Sequence, residues 1–155
     1  MSPGGAAQAL RVFIENEAGS FVKHIHNEKT LTLLGTSHVS RAFPFPYGFV
    51  LNTSAEDGDN VDCFILTKRH LETGQIVDCD PIALMEQVED GEVDHKVLVL
   101  IPGEPEVLDE CIQQKLIDFA RHVFEHIPGK TMQVGGFQSK DVALDYVQRH
   151  QDPGT

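Results

Sequence analysis

The hydrophobic rhythm of the chain changes at Pro102, and few folds accommodate both halves. Ahead of it, apolar and β-branched residues fall in short runs, at 11–15, 21–26, 30–34, 49–51, 61–67, 76–85 and 95–101, separated by turn formers such as Glu17-Ala18-Gly19-Ser20. Such runs read as strands. The clearest is His-Lys-Val-Leu-Val-Leu-Ile at 95–101. Phe43-Pro44-Phe45-Pro46-Tyr47-Gly48 carries two prolines, which forbid helix and disfavour a central strand, so a stiff extended loop is expected there. Beyond Pro102, Leu108, Ile112, Leu116, Phe119, Val123 and Ile127 recur at steps of three and four, the period of an amphipathic helix. Glu104 and Glu106 near its start suit the dipole, Pro105 suits its first turn, and Pro128-Gly129 ends it. Residues 131–137 form a last strand, and Ser139 caps a second helix running to about His150. Many short strands followed by two helices predict one domain over 1–155, a small β-barrel with helices packed on its outside. The Gly- and Ala-rich stretch at 1–10 is expected to be disordered.

Charge narrows the partners. The chain holds 24 Asp and Glu against 12 Lys and Arg, a net −12. That surface repels nucleic acid and anionic lipid and suits a protein that gathers cations. The N-terminus lacks a basic segment followed by a long apolar core, and no apolar run approaches the roughly 20 residues of a membrane helix. Cys63, Cys79 and Cys111 are odd in number and far apart, which indicates neither a disulfide frame nor a thiolate zinc site; each is expected to be a small buried hydrophobe. A cytoplasmic location is the default.

The densest chemical signal is Asp57-Gly58-Asp59-Asn60-Val61-Asp62. Carboxylates so close together repel one another unless cations neutralise them, and their oxygens are hard ligands suited to Mg²⁺, Mn²⁺ or Ca²⁺. Gly58 lets the chain turn so that the acids converge. The segment is not an EF-hand, because Lys68 stands where that loop needs a glutamate. The plainer alternative is a solvated acidic turn. A second cluster, Glu89-Asp90-Gly91-Glu92-Val93-Asp94, precedes His95, Lys96 and a strand. Two acidic turns that each abut an apolar strand could meet at one end of a barrel, with Lys96 beside them to take an anion.

Together these residues resemble the family I soluble inorganic pyrophosphatases. That family carries Asp-x-Asp-Pro-x-Asp shortly after a Tyr-Pro-x-x-Tyr-Gly-like segment, then an acidic turn ending in Asp-x-Lys and a strand. Here Asp57 to Asp62 follow Phe43 to Gly48, and Asp94-His95-Lys96 leads into Val97-Leu98-Val99. Glu15 and Lys23 are similar to the family's upstream glutamate and lysine, and the likeness runs in order over residues 11–147. The resemblance implies an OB-type five-stranded β-barrel with flanking helices. It implies hydrolysis of diphosphate with several Mg²⁺ ions, Mn²⁺ being the alternative. Asp57, Asp62 and Asp94 would hold activating metal, and Glu89 or Asp90 would ligate metal carried in with substrate, with Glu15 assisting. Asp59 would orient or deprotonate the attacking water. Lys23, Arg41, Tyr47 and Lys96 would grip phosphate. It also implies a homo-oligomer, to which the limited area of a small barrel adds a reason.

The chain departs from the pattern. Asn60 stands where proline is usual, a change expected to be neutral for chemistry. Phe43 lacks the hydroxyl of a tyrosine, and Ile127-Pro128 follow Glu125-His126 where Tyr-Lys is usual. Lys130, Arg41 and His126 are the candidates to compensate. The altered clamp keeps open a non-catalytic metal- and phosphate-binding paralogue, or a hydrolase of another phosphoanhydride. Gly129-Lys130-Thr131 is no P-loop, because Phe124 occupies the place of the motif's first glycine. The pairs His122/His126 and His24/His26 are read as titrating surface residues rather than zinc ligands.

Overall fold

The computed structural model describes residues 9–153. Nine strands and two helices follow in order: β1 (Leu10–Asn16), β2 (Val22–Asn27), β3 (Thr32–His38), β4 (Tyr47–Val50), β5 (Asp62–Ile65), β6 (Ile76–Glu89), β7 (Glu92–Val93), β8 (Lys96–Leu100), α1 (Glu110–His122), β9 (Met132–Gln138) and α2 (Lys140–Arg149). Strand β1 pairs with β4, β4 with β5, β5 with β8, β8 with β6, and β6 returns to β1, which closes a ring of five. This is the small barrel with helices outside that the sequence predicts.

Closure depends on β6. Its first residues, Ile76 to Cys79, pair with β1; Asp80 to Met85 pair with β8; and its far end carries β7 and β9. Register shifts at Pro81/Ala83 and Met85/Gln87 bend it from one partner to the next. Gly48 shows how tightly β1 and β4 approach: a Cβ there would stand 1.9 Å from the Phe13 carbonyl oxygen. Only glycine fits.

Alternate residues of the same strands feed two cores. Cys63, Ile65, Val97 and Val99 pack with Val12, Ile14 and, from α2, Ala143, Tyr146 and Val147. Phe64, Leu98 and Leu100 pack with Phe43, Met85 and, from α1, Leu116 and Phe119. Because β5 and β8 are buried on both faces they read as unbroken apolar runs. Each fully buried side chain of this size contributes about 1.5–3 kcal/mol of burial free energy. The β2–β3 hairpin stands apart; within the described residues these two strands pair only with each other.

Several boundaries differ from expectation. Helix α1 starts later than Pro105, because the Asp109 side chain accepts from the Ile112 N–H and caps it there; Glu104 lies ahead of the helix and pairs with Arg69. Its last regular turn ends at Val123, and 124–129 turn irregularly to Gly129, whose φ is +80°. Ser139 occupies the N-cap of α2 without a side-chain cap bond. Tyr47 and Gly48 belong to β4 rather than to an extended loop. Of residues 1–10, for which disorder is expected, 1–8 lie outside the described residues, and Leu10 is buried and paired with Cys79. Cys63 and Cys79 are buried as expected, and Cys111 is exposed. Among the described residues no helix is long and apolar enough to cross a membrane.

Candidate active site

Strands β5 and β8 run parallel, with Asp62 opposite Lys96. The two acidic segments lead into these strands, so the segments lie side by side at one end of the ring. Between them opens a cavity of about 400 Å³. The hairpin supplies one wall through Lys23, Ile25 and Glu28, and α1 supplies another through Phe119, Ala120 and Val123.

Lys96 is the hub of this end. Its Nζ donates to Asp62 Oδ2 at 2.8 Å, to Asp94 Oδ2 at 3.1 Å and to the Tyr47 hydroxyl at 2.9 Å. It is only 6% exposed. Desolvation pulls its pKa down, but Asp62, Tyr47 and Asp94 outweigh that and hold it well above the ordinary lysine value. Burial, and then Asp62, raise the Tyr47 hydroxyl in turn. Desolvation lifts Asp94 to about 7 against the pull of Lys96. Tyr47 stacks edge-on against Phe64 and beside Phe43, which fixes its ring.

The loop from Asp57 to Asp62 turns at Gly58, whose φ is +87°. Asp57 Oδ1 accepts from the Asp59 N–H at 2.9 Å, and desolvation raises the Asp57 carboxyl. Across the cavity, the buried Glu15 accepts from the His26 backbone and ring; burial lifts it against the attraction of Lys23. Lys23 lies 5.9 Å from the Tyr47 ring centre. At the other side, Lys130 Nζ pairs with Glu89 Oε2 at 2.7 Å.

Of the residues singled out in the sequence, Glu15, Lys23, Tyr47, Asp57, Asp59, Asp62, Glu89, Asp94 and Lys96 line this one cavity. Asp90 and Arg41 do not. Asp90 sits at the tip of the β6–β7 turn with φ +51°, and Thr131 and Lys130 engage its carboxylate. Arg41 is drawn to Glu125 at 2.8 Å and Asp118 at 3.9 Å, on the surface of α1 and the turn after it. Among the proposed compensators only Lys130 reaches the cavity; His126 bonds Ser40. His122 pairs with Asp118 and Glu125. Two cavity acids were not singled out. Glu92 belongs to the second acidic cluster without a role of its own, and Glu28 is a lone acid in a turn with no periodic or motif signal around it. Glu28 is pushed up to about 8, by desolvation and then by Asp62 and Asp59.

The cavity therefore holds eight carboxylates (Glu15, Glu28, Asp57, Asp59, Asp62, Glu89, Glu92, Asp94) against three ammonium groups (Lys23, Lys96, Lys130). That excess fits a cation. Among the described residues no three His, Cys, Asp or Glu side chains already form an ion cage.

Comparison with known proteins places the chain in a family. Residues 12–153 match the inorganic pyrophosphatase family. A Mycoplasma pneumoniae inorganic pyrophosphatase is 30% identical over 141 residues, spanning 90% of this chain and 75% of that protein. One from Sulfolobus acidocaldarius is 26% identical over 162 residues, spanning 96% and 93%. The fold of the Thermus thermophilus inorganic pyrophosphatase superposes with a TM-score of 0.83 at 23% identity, covering 96% of this chain and 92% of that one. The chain belongs to the inorganic pyrophosphatase family.

Proposed function

We propose that this protein hydrolyses inorganic diphosphate to two orthophosphates, with Mg²⁺ as cofactor and Mn²⁺ as the alternative. The observation that carries the reading is the meeting, in one cavity, of Asp57, Asp59, Asp62 and Asp94 with Lys23, Lys96 and Tyr47. Asp57, Asp62 and Asp94 would hold the ions, with Glu89 and Glu15 assisting. Bound Mg²⁺ supplies Lewis acidity, neutralising charge on phosphate oxygens and acidifying nearby water.

The remaining roles fall to side chains. Asp59 is fixed in its loop by its N–H on Asp57 Oδ1 and by its carbonyl, which accepts from the Ala55 N–H; its carboxylate orients the attacking water and accepts its proton as the P–O bond to the bridging oxygen breaks. Lys23, Lys96 and the Tyr47 hydroxyl donate to phosphate oxygens, and Lys130 does so in place of the missing Tyr-Lys pair. All three Lys96 N–H groups are committed to Asp62, Asp94 and the Tyr47 hydroxyl, so Lys96 would reach a phosphate oxygen by releasing one of these partners. Phe43, Phe119 and Val123 line the cavity without polar atoms and exclude water from that side.

The protein acts in the cytoplasm, as a homo-oligomer, without nucleic acid or membrane partners. The net −12 supports the last two. Exposed Phe21, Ile25, Leu33 and Leu34 on and beside the hairpin support self-association. The test is orthophosphate release from diphosphate with Mg²⁺ and with EDTA, beside a panel of nucleotides and phosphate esters. Release from diphosphate only with the ion is expected. Equal release in EDTA overturns the metal reading, faster release from a panel member overturns the substrate, and no release at all leaves a binding protein. A single monomer-sized species in sedimentation at micromolar concentration overturns the oligomer.

A further inference from the structure

We infer that Asn60 is a positioning residue, which clasps the tip of the β2–β3 hairpin to the acidic loop and so sets two walls of the cavity relative to each other. The inference rests on the proposed reading of Asp57 and Asp62 as ligands.

Asn60 is 2% exposed and fully engaged. Its N–H donates to Glu28 Oε1 at 2.9 Å, its Nδ2 donates to the Val50 carbonyl at 3.0 Å, and its Oδ1 accepts from Lys29 Nζ at 2.7 Å. Lys29 Nζ also donates to the Thr53 carbonyl at 2.8 Å and to Ser54 Oγ at 3.1 Å, and lies 3.5 Å from Asp152 Oδ2. One ammonium thus gathers the hairpin tip, the β4–β5 connection and the C-terminal segment. Proline, usual at this place, has neither the N–H that meets Glu28 nor the amide that meets Val50 and Lys29.

The clasp bears on function because of what each side carries. Asn60 lies between Asp59 and Asp62. The hairpin carries Lys23 and Ile25, which line the opposite wall. Since β2 and β3 pair with no other strand among the described residues, side-chain ties help to locate the hairpin: Glu15 to His26 and Asn16 to His24 along β2, and Asn60 to Glu28 and Lys29 at its tip. A clasp at the tip is the one of these that also touches the acidic loop. Groups that orient metal ligands from behind typically contribute about 10–100-fold to metal affinity.

The experiment measures Mg²⁺ binding to the substrate-free protein by calorimetry, together with KM, kcat and thermal midpoint, for wild type, Asn60→Ala, Lys29→Met, Lys29→Arg and Asp109→Ala. Asn60→Ala and Lys29→Met are expected to weaken Mg²⁺ binding roughly tenfold, to raise KM for diphosphate, and to leave kcat close to wild type at saturating ion and substrate. Lys29→Arg, which keeps the charge and donors at a half-exposed position, recovers most of the affinity. Asp109→Ala removes a remote helix cap, so it lowers the thermal midpoint without moving Mg²⁺ affinity. Wild-type Mg²⁺ affinity in Asn60→Ala and Lys29→Met, whatever their midpoints, overturns the clasp. If wild type takes up no Mg²⁺, the ligand reading falls and the inference with it.

Discussion

The two acidic segments look alike as strings of letters and behave differently in space. In the first, Asp57, Asp59 and Asp62 all line the cavity; in the second, Glu89, Glu92 and Asp94 do, and Asp90 does not. The first is an irregular loop that turns at Gly58 and is held from behind by Asn60, so successive acids can converge. The second is a tight hairpin between β6 and β7, and its tip residue is sent outward by the turn itself. An acid's neighbours in sequence therefore say less about its role than the kind of turn that carries it.

That comparison can be broken in several ways. The largest effect is expected from the loop. Asp59→Asn, nearly isosteric, should lower kcat by about 10²-fold or more, as loss of a positioned base does, with the thermal midpoint unchanged; near-normal turnover in the folded variant would remove Asp59 from the water. Next is Lys130, the cation that bridges the second segment to the cavity. A hydrogen bond to a charged group is worth about 1.5–3 kcal/mol, and each 1.4 kcal/mol is about tenfold, so Lys130→Met should raise KM for diphosphate roughly tenfold. An unchanged KM would leave the grip to Lys23 and Lys96 alone.

A smaller effect concerns pH. Burial, then Asp62 and Asp59, push Glu28 up to about 8 from an unfolded value near 4.5. The folded state then keeps a proton that the unfolded chain has lost, so stability falls as pH rises between those values. In EDTA the thermal midpoint should decline from pH 5 to pH 8, and Glu28→Gln should flatten that decline; an equal slope in the variant would show that Glu28 does not titrate there. The smallest effect is expected at Asp90. Asp90→Asn, which tolerates the positive φ, should leave kcat and Mg²⁺ requirement unchanged. A loss comparable to that of Asp59→Asn would abolish the distinction between the two segments.

The same contrast explains what the sequence discloses. Strands β5 and β8 and the body of α1 are legible because burial on both faces, or on one stripe, writes itself into residue type. The closure of the ring is not, since it depends on register shifts within β6. Gln87, polar in sequence and 3% exposed in the fold, hides the strand's continuation past Met85. The acids 57, 59, 62 and 94 are legible through spacing and through the resemblance that spacing supports. Glu28 is not, because only the folding-back of the hairpin tip through Lys29 and Asn60 brings it to the cavity. Arg41 shows the converse: basic and near the right segment, it pairs with Glu125, distant in sequence, outside the cavity lining.

The buried ammonium of Lys96 has a developmental consequence for the molecule. Asp62 and Asp94 are bridged by a charge that is part of the chain. The end of the barrel can therefore assemble before any ion arrives, unlike a zinc finger, whose ligands find no partner until metal binds. The newly made chain carries its own temporary counter-ion, and the divalent cation enters a finished chamber instead of acting as the template for it. A chelator should empty such a protein without unfolding it, leaving a shell ready to be recharged.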